Sequence, residues 1–180
     1  HPAGGEPSTA LHLQIAERVD VLRAIHGQTF ADRLHVLPDF HGNRSPFADP
    51  YARGVISGLT LDISFDSLCA LYWRTSVAIA LGTRHVLDAM DALGHRTTTL
   101  HVAGGHIHNS LLMELYADVT GRRVVVPKSS DAVLLGTAMT AASAARLYPD
   151  LSAACCAMNQ GQEERTTDRD RRPGYERDYK

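Results

Sequence analysis

The stretch from residue 97 to residue 147 constrains the fold most, because strand and helix patterns alternate in it twice. Its elements are predicted in the order strand (97–102), helix (111–119), strand (124–126) and helix (132–147). The first strand is β-branched and stops at Ala103-Gly104-Gly105, and Pro127 ends the second. Strands joined through a helix are typical of a parallel crossover, so an α/β layer with parallel strands is predicted.

The first half of the chain is predicted to be mainly helical. Apolar residues recur at three- and four-residue spacing from about residue 8 until Gly27, and again over residues 67–93. In the longer helix the small residues Ala78, Ala80 and Gly82 indicate close packing against another element. Two short extended segments, 34–37 and 54–59, flank a loop that is dense in turn-forming residues.

Composition excludes some classes of function and suggests a compartment. The 180 residues suffice for one ordinary domain, and a formal charge of -2 argues against nucleic-acid binding, which needs a basic excess. Without an apolar run of about 18 residues, no membrane span is predicted. Three cysteines, an odd number without favourable disulfide spacing, favour a reducing, cytoplasmic setting. Residues 161–180 are mostly charged and are predicted to be a surface tail pinned by Tyr175 and Tyr179.

The turn at Gly104-Gly105 is the sharpest candidate for a ligand site. Ligands of open α/β sheets bind at the carboxyl ends of strands, and glycine lets the backbone approach a nucleotide closely. Asn109 in the following turn has two interpretations: a hydrogen bond to a ribose or base edge, or a helix cap. Gly136, inside a predicted helix, serves either close packing or a passing ligand, and packing is the favoured interpretation.

Other candidate residues indicate no catalytic centre. His101, His106 and His108 suggest a zinc site, but no acidic or cysteine ligand follows at a zinc spacing, and solvent-facing histidines are favoured. Four carboxylates are candidates for a general base, and none of them lies at a spacing from a nucleophile that indicates catalysis. They are Asp39, Asp49, Asp118 and Asp131. Asp131 is predicted to cap a helix instead.

A series of short motifs resembles the FGGY family of carbohydrate kinases, most closely its D-ribulokinase-like branch. The motifs in chain order are 38–46 (PDFHGNRSP), 48–50 (Ala-Asp-Pro), 53–54 (RG), 58–60 (GLT), 80–84 (ALGTR), 104–105 (GG), 117–118 (AD), 120–121 (TG), 134–136 (LLG) and the tyrosine-containing end, 175–180. Each motif is modest, but together they cover nearly the whole chain in order.

The resemblance implies an α/β, actin-like (ribonuclease H-like) ATPase fold, of which this chain matches the C-terminal, nucleotide-side domain over residues 1–160 with 161–180 as its tail. It implies ATP and Mg²⁺ as cofactors and a pentulose or related polyol, with D-ribulose favoured, as the substrate. By the family pattern Gly105 and Asn109 lie at the adenosine, and Gly104 and Gly136 support the same cradle. Gly5 aligns with another nucleotide-side glycine.

The departures from the family pattern are also informative. No residue matches the family's catalytic aspartate or its N-terminal phosphate-binding loop, and the strands that open the C-terminal domain are missing. Arg74 stands where many relatives carry Glu. The chain is therefore expected to need an N-terminal kinase domain as its partner and to show little turnover alone, and a homodimer stays open. The alternatives are a non-catalytic nucleotide-binding or interaction module and a zinc-dependent hydrolase.

Overall fold

The structure, a computed structural model, describes residues 9–128, 131–159 and 161–180. Helices in these ranges are α1 (Thr9–His26), α2 (Phe65–Ala92), α3 (Ser110–Thr120), α4 (Ala132–Ala144), α5 (Leu151–Met158) and α6 (Arg172–Tyr179). Strands are β1 (His35–Leu37), β2 (Val55–Ser57), β3 (Thr99–His101), β4 (Arg123–Pro127) and β5 (Gln162–Arg165). The chain divides into two compact units, residues 1–96 with 169–180, and residues 97–168.

In the first unit, α1 packs on the long α2, as the apolar spacing predicts. The core residues that these two helices contribute include Ile15, Val19, Leu22, Cys69, Trp73, Val77 and Ala80. Arg18 makes a paired contact with Asp66, with nitrogen–oxygen distances of 2.6 and 2.7 Å, and Ser64 caps α2 by accepting from the Ser67 N–H. β1 and β2 form an antiparallel pair flanking the predicted loop.

The small residues of α2 are only partly explained by packing. Ala78 and Ala80 are buried, as predicted. Gly82 is exposed, and a Cβ added there would meet no atom of the described residues within 4 Å. The prediction that Gly82 packs closely against another element is therefore wrong for the described residues, because this position of α2 faces open space.

The second unit contains the predicted parallel pair. Its sheet has the order β3-β4-β5, and β3 runs parallel to β4 with Leu100 opposite Val124. The crossover helix α3 is buried on nearly all sides and ends at Gly121, whose φ of +68° is in the left-handed region that glycine tolerates. Asp131 accepts a hydrogen bond from the Leu134 N–H at 2.9 Å, which confirms it as the cap of α4.

The charged last twenty residues are ordered, unlike a simple surface tail. β5 pairs antiparallel with β4 in the second unit, while α6 belongs to the first unit. Tyr175 is buried, and the Arg84 guanidinium lies 4.1 Å from the ring centroid of Tyr179, so the predicted pinning by tyrosines is confirmed. The hydrophobic pattern of the sequence does not predict this strand, because all its side chains are exposed.

Two ion pairs attach α6 to α2. Arg74 Nη1 lies 2.7 Å from Asp178 Oδ2, and Arg84 Nη2 lies 2.9 Å from Glu176 Oε2. Arg74 also donates through Nε to the Leu34 carbonyl oxygen at 2.7 Å. Both arginine side chains are largely buried, so charge pairing fixes a helix that carries few apolar residues. In the part of the chain that the structure describes, no helix is long and apolar enough to cross a membrane.

Candidate functional site

The turn after β3 carries the glycines that the sequence singles out. One more hydrogen bond of the β3–β4 pair follows His101: the Val102 N–H donates to the Val125 carbonyl oxygen at 3.0 Å. Gly104 has φ of +83°, a conformation that side chains other than glycine rarely adopt. A single 3₁₀ turn, Gly105–His108, then precedes α3 and places Asn109 directly before the first residue of that helix.

The backbone of this turn is open to a ligand. Gly104 and Gly105 are exposed, and a Cβ added at either would meet no described atom within 4 Å. At Gly104 the positive φ already demands glycine. At Gly105 neither backbone strain nor packing among the described residues demands glycine. The missing side chain leaves room for a ligand to approach the backbone.

Asn109 is a helix cap, which is one of the two interpretations that its sequence position allowed. Its Oδ1 accepts a hydrogen bond from the Leu112 N–H at 3.1 Å and caps α3. The cap uses one lone pair of Oδ1, so it does not exclude a ligand contact by the same side chain.

A second contact, which sequence reasoning missed, ties the turn to α3. His106 Nδ1 lies 3.0 Å from the hydroxyl oxygen of Tyr116, and the two rings stack with centroids 6.2 Å apart. Tyr116 is buried, so this contact anchors the exposed turn to the core of its unit. The ten-residue separation of the two residues, across a 3₁₀ turn and an α-helix, carries no periodic signal.

The histidines do not assemble into a metal centre in the described ranges. There, no group of three or more His, Cys, Asp or Glu side chains could hold a metal ion. His101 and His108 are exposed, and His106 contacts Tyr116. The zinc-hydrolase hypothesis therefore finds no supporting arrangement among these residues.

The four carboxylates considered as a general base each accept a structural hydrogen bond. The donors are Asn43 Nδ2 for Asp39 at 3.2 Å, Tyr51 N for Asp49 at 2.8 Å, Asp168 N for Asp118 at 2.7 Å and Leu134 N for Asp131 at 2.9 Å. Asp118 is 1% exposed, and its neighbour Ala117 accepts from the Thr167 hydroxyl at 2.9 Å. In the structure these carboxylates hold turns, a helix cap and the segment that follows β5.

Gly136 makes no packing contact with the described residues, so within that part of the chain the favoured packing interpretation is wrong. It lies on an exposed face of α4, where a Cβ would meet no atom of the described residues within 4 Å. In the same helix Val133 is 75% exposed and Leu134 67% exposed, while Met139 is buried. The cost of glycine inside a helix suggested packing, but this helix presents much of its apolar surface outward.

The two glycine-bearing segments follow neighbouring strands of the sheet. β3 and β4 are parallel neighbours, so their carboxyl ends lie at the same edge of the sheet. The turn with Gly104 and Gly105 follows β3, and the segment that leads to Gly136 follows β4. Lys128, just after β4, adds a cation at this edge that the sequence analysis did not single out. Gly5 lies outside the described residues.

Comparison with known proteins gives a consistent family assignment. The model of the FGGY family of carbohydrate kinases, C-terminal domain, matches residues 5–145. An FGGY carbohydrate kinase domain-containing protein of Xenopus laevis is 48% identical over 121 residues, which are 67% of this chain and 22% of that protein. A D-ribulokinase of Saccharomyces cerevisiae is 39% identical over 117 residues, 64% of this chain and 16% of that protein.

Among solved structures, the xylulose kinase from Rhodospirillum rubrum superposes with a TM-score of 0.69 at 28% identity. The superposition covers 97% of this chain and 33% of that chain. The predicted fold class, an α/β, actin-like or ribonuclease H-like ATPase fold, is thereby confirmed. The chain spans about a fifth of the length of the Xenopus laevis protein that it matches.

Proposed function

The chain belongs to the FGGY family of carbohydrate kinases, and we propose that it forms the ATP-binding side of such a kinase. Gly105 and Asn109 would lie at the adenosine, with Gly104 and Gly136 forming the rest of the cradle and Gly5 a further nucleotide-side glycine. The observation that carries this proposal is topological. Two parallel strands end at one sheet edge, and each is followed by a glycine-bearing segment with open space above its backbone.

The local chemistry of this edge suits a nucleotide. α3 and α4 both begin after strands that end there, and the N-terminus of a helix favours an anionic group. Glycine at 104, 105 and 136 removes the side chains that would keep a ligand away from the backbone. Asn109 offers an amide that can donate to a ribose or a base edge.

ATP supplies the γ-phosphate that the family transfers to a sugar hydroxyl. The described residues fit the adenosine end of this cofactor, since they provide open backbone and an amide side chain. In the described ranges no group of three or more ligating side chains is gathered for a metal ion, so we propose that Mg²⁺ is held mainly by the nucleotide's phosphates.

The proposed reaction is phosphorylation of a pentulose or related polyol, with D-ribulose favoured. Its support is the 39% identity to the yeast D-ribulokinase and the run of residues 38–46. Because the matched relatives are several times longer, the residues that bind the sugar and accept its hydroxyl proton are assigned to an N-terminal kinase domain. Alone, the chain is proposed to bind nucleotide with little turnover, in the reducing compartment that its cysteines favour.

Isothermal titration of the 180-residue chain with ATP tests the nucleotide site. Gly105→Val is expected to abolish binding, because a branched side chain would fill the open space above the turn. Gly82→Val is the matched control, since Gly82 also faces open space but lies in the other unit, and its affinity should equal that of the unsubstituted chain. Equal ATP affinity in both variants would contradict the assignment.

A substrate panel separates the kinase from the alternative, a non-catalytic nucleotide-binding or interaction module. The full-length gene product that contains this chain would be assayed for ATP-dependent phosphorylation of ketopentoses, aldopentoses and polyols. Phosphorylation of D-ribulose above the others supports the favoured substrate. ATP binding without phosphorylation of any member of the panel would favour the module.

A further inference from the structure

The turn that carries the proposed nucleotide site is locally weak. It consists of one 3₁₀ turn, Gly105–His108, preceded by Gly104, and both glycines are exposed. Glycine backbones sample more conformations than those of other residues, and a 3₁₀ turn has poorer hydrogen-bond geometry than an α-helix. Such a turn needs a contact outside itself if it is to present a single conformation to a ligand.

His106 makes a contact of this kind. Its Nδ1 lies 3.0 Å from the hydroxyl oxygen of Tyr116, and the planes of the two rings are inclined by 27°. Tyr116 is 6% exposed and belongs to α3, in which residues 111–120 are all buried except the half-buried Glu114. The imidazole of His106 therefore connects the exposed turn to a buried helix.

The backbone of His106 is connected to the other end of the turn. Its carbonyl oxygen accepts a hydrogen bond from the Asn109 N–H at 3.0 Å. Asn109 in turn caps α3 through the Leu112 N–H. Gly105 is the residue directly before His106 in the chain. A displacement of His106 would therefore move both residues that are proposed to lie at the adenosine.

We propose that His106 is a positioning residue of the nucleotide site and that it acts through Tyr116. The contact with Tyr116 holds Gly105 and Asn109 in the arrangement that receives adenosine. This inference rests on the proposed function and adds to it two residues that do not touch the ligand. Because the contact involves no ligand atom, it orders the turn before ATP arrives. A site that is correctly arranged in only a fraction of the molecules binds more weakly by that fraction.

Two single variants and their combination test the contact, with ATP affinity measured by isothermal titration of the 180-residue chain. Tyr116→Phe removes the hydroxyl and keeps the ring, and His106→Leu removes the imidazole. Each is expected to weaken ATP binding by about fivefold, the value of one net hydrogen bond. The double variant should bind no more weakly than the weaker single variant, because both substitutions remove the same contact.

Two further substitutions of His106 separate positioning from a direct ligand contact. His106→Asn places an amide near the position of Nδ1, so it should restore most of the ATP affinity that His106→Leu loses. His106→Gln places its amide near the position of Nε2 and should bind ATP as weakly as His106→Leu does. If His106 touched the ligand through Nε2, the order of the two variants would be reversed.

The first unit offers a matched control, because it contains a second contact between a histidine ring and a tyrosine ring. The ring centroids of His12 and Tyr72 lie 5.8 Å apart. His12→Leu removes this contact and should bind ATP as the unsubstituted chain does. A loss of affinity in this control equal to that of His106→Leu would contradict a specific role of His106.

Amide hydrogen exchange, followed by NMR without ATP, tests the positioning independently of binding. The Ile107 N–H donates to the Gly104 carbonyl oxygen at 3.2 Å, and the Asn109 N–H donates to that of His106. Both amides should exchange about fivefold faster in Tyr116→Phe than in the unsubstituted chain. In His106→Asn they should exchange at nearly the unsubstituted rate.

The results that would overturn the proposal differ from those that would overturn the proposed function. Full ATP affinity in both His106→Leu and Tyr116→Phe, additive losses in the double variant, or unchanged exchange at Ile107 and Asn109 would each refute the positioning role alone. An unsubstituted chain that binds no ATP would refute the proposed function, and the nucleotide role of His106 with it.

Discussion

Replacing Asn109 by alanine removes a helix cap and, under the proposed function, a contact with adenosine. The Oδ1 atom accepts from the Leu112 N–H at 3.1 Å, and losing such an asparagine cap costs about 1 kcal/mol. With a urea dependence of about 2 kcal/mol per molar, the unfolding midpoint should fall by about 0.5 M. ATP affinity should fall about fivefold, the value of one net hydrogen bond of about 1 kcal/mol.

A second substitution separates the two effects. Asn109→Asp keeps an oxygen that accepts from the Leu112 N–H, and aspartate caps helices about as well as asparagine does. The free energy of unfolding should therefore stay within a few tenths of a kcal/mol of the unsubstituted value. The amide donor is replaced by a carboxylate, however, so ATP affinity should still fall by about fivefold or more.

Asp150→Ala is the matched control, because Asp150 caps α5 by accepting from the Ala153 N–H at 2.8 Å. It should lower the urea midpoint as Asn109→Ala does, with ATP affinity unchanged. Urea unfolding followed by circular dichroism and isothermal titration with ATP would be run on the same preparations. Wild-type affinity in both Asn109 variants would refute the nucleotide contact, and equal destabilisation by alanine and aspartate would refute the cap argument.

The remaining predictions concern pH, thiol reactivity and the core. The hydrogen bond from Arg84 lowers the pKa of Glu176 below its ordinary 4.5, so its stabilising contribution is present above that pH and is lost as the pH falls through the lowered pKa. Thermal unfolding should show this loss of stability at acid pH, and Glu176→Gln should reduce it. Identical pH profiles for the variant and the unsubstituted chain would contradict the stabilising role of the Glu176 carboxylate. Burial raises the pKa of the Cys69 thiol, so a thiol reagent should modify exposed Cys156 rapidly and Cys69 only on unfolding. Leu115→Ala, at a fully buried position of α3, should cost about 2–5 kcal/mol in urea unfolding.

The elements that the sequence predicted well are those with a local signal. Gly27 follows the end of α1, Gly121 ends α3 in the left-handed region, and Asp131 caps α4, each a property of a few neighbouring residues. The turn at Gly104 was also predictable, since two glycines after a β-branched run allow little else. Parallel pairing of β3 and β4 followed from the order of elements.

The candidate site was predictable in its position and less so in its contacts. The sequence placed Gly104, Gly105 and Asn109 in one turn, but the stacking of His106 on Tyr116 depends on how that turn folds back on α3. Among the described residues the packing interpretation of Gly136 was wrong, because the cost of glycine inside a helix does not say what covers that position.

The sequence by itself determined the helix ends that carry a cap or a glycine, the order of elements that makes two strands parallel, and which glycines follow those strands, because these are properties of short stretches of chain. Tertiary structure decided the place of the charged last twenty residues, which add β5 to one unit and α6 to the other. Their partners, Arg74 for Asp178 and Arg84 for Glu176, lie about 90 to 100 positions away along the chain. Charge pairing and strand pairing at such separation leave no periodic pattern in the sequence, so only the folded chain reveals them.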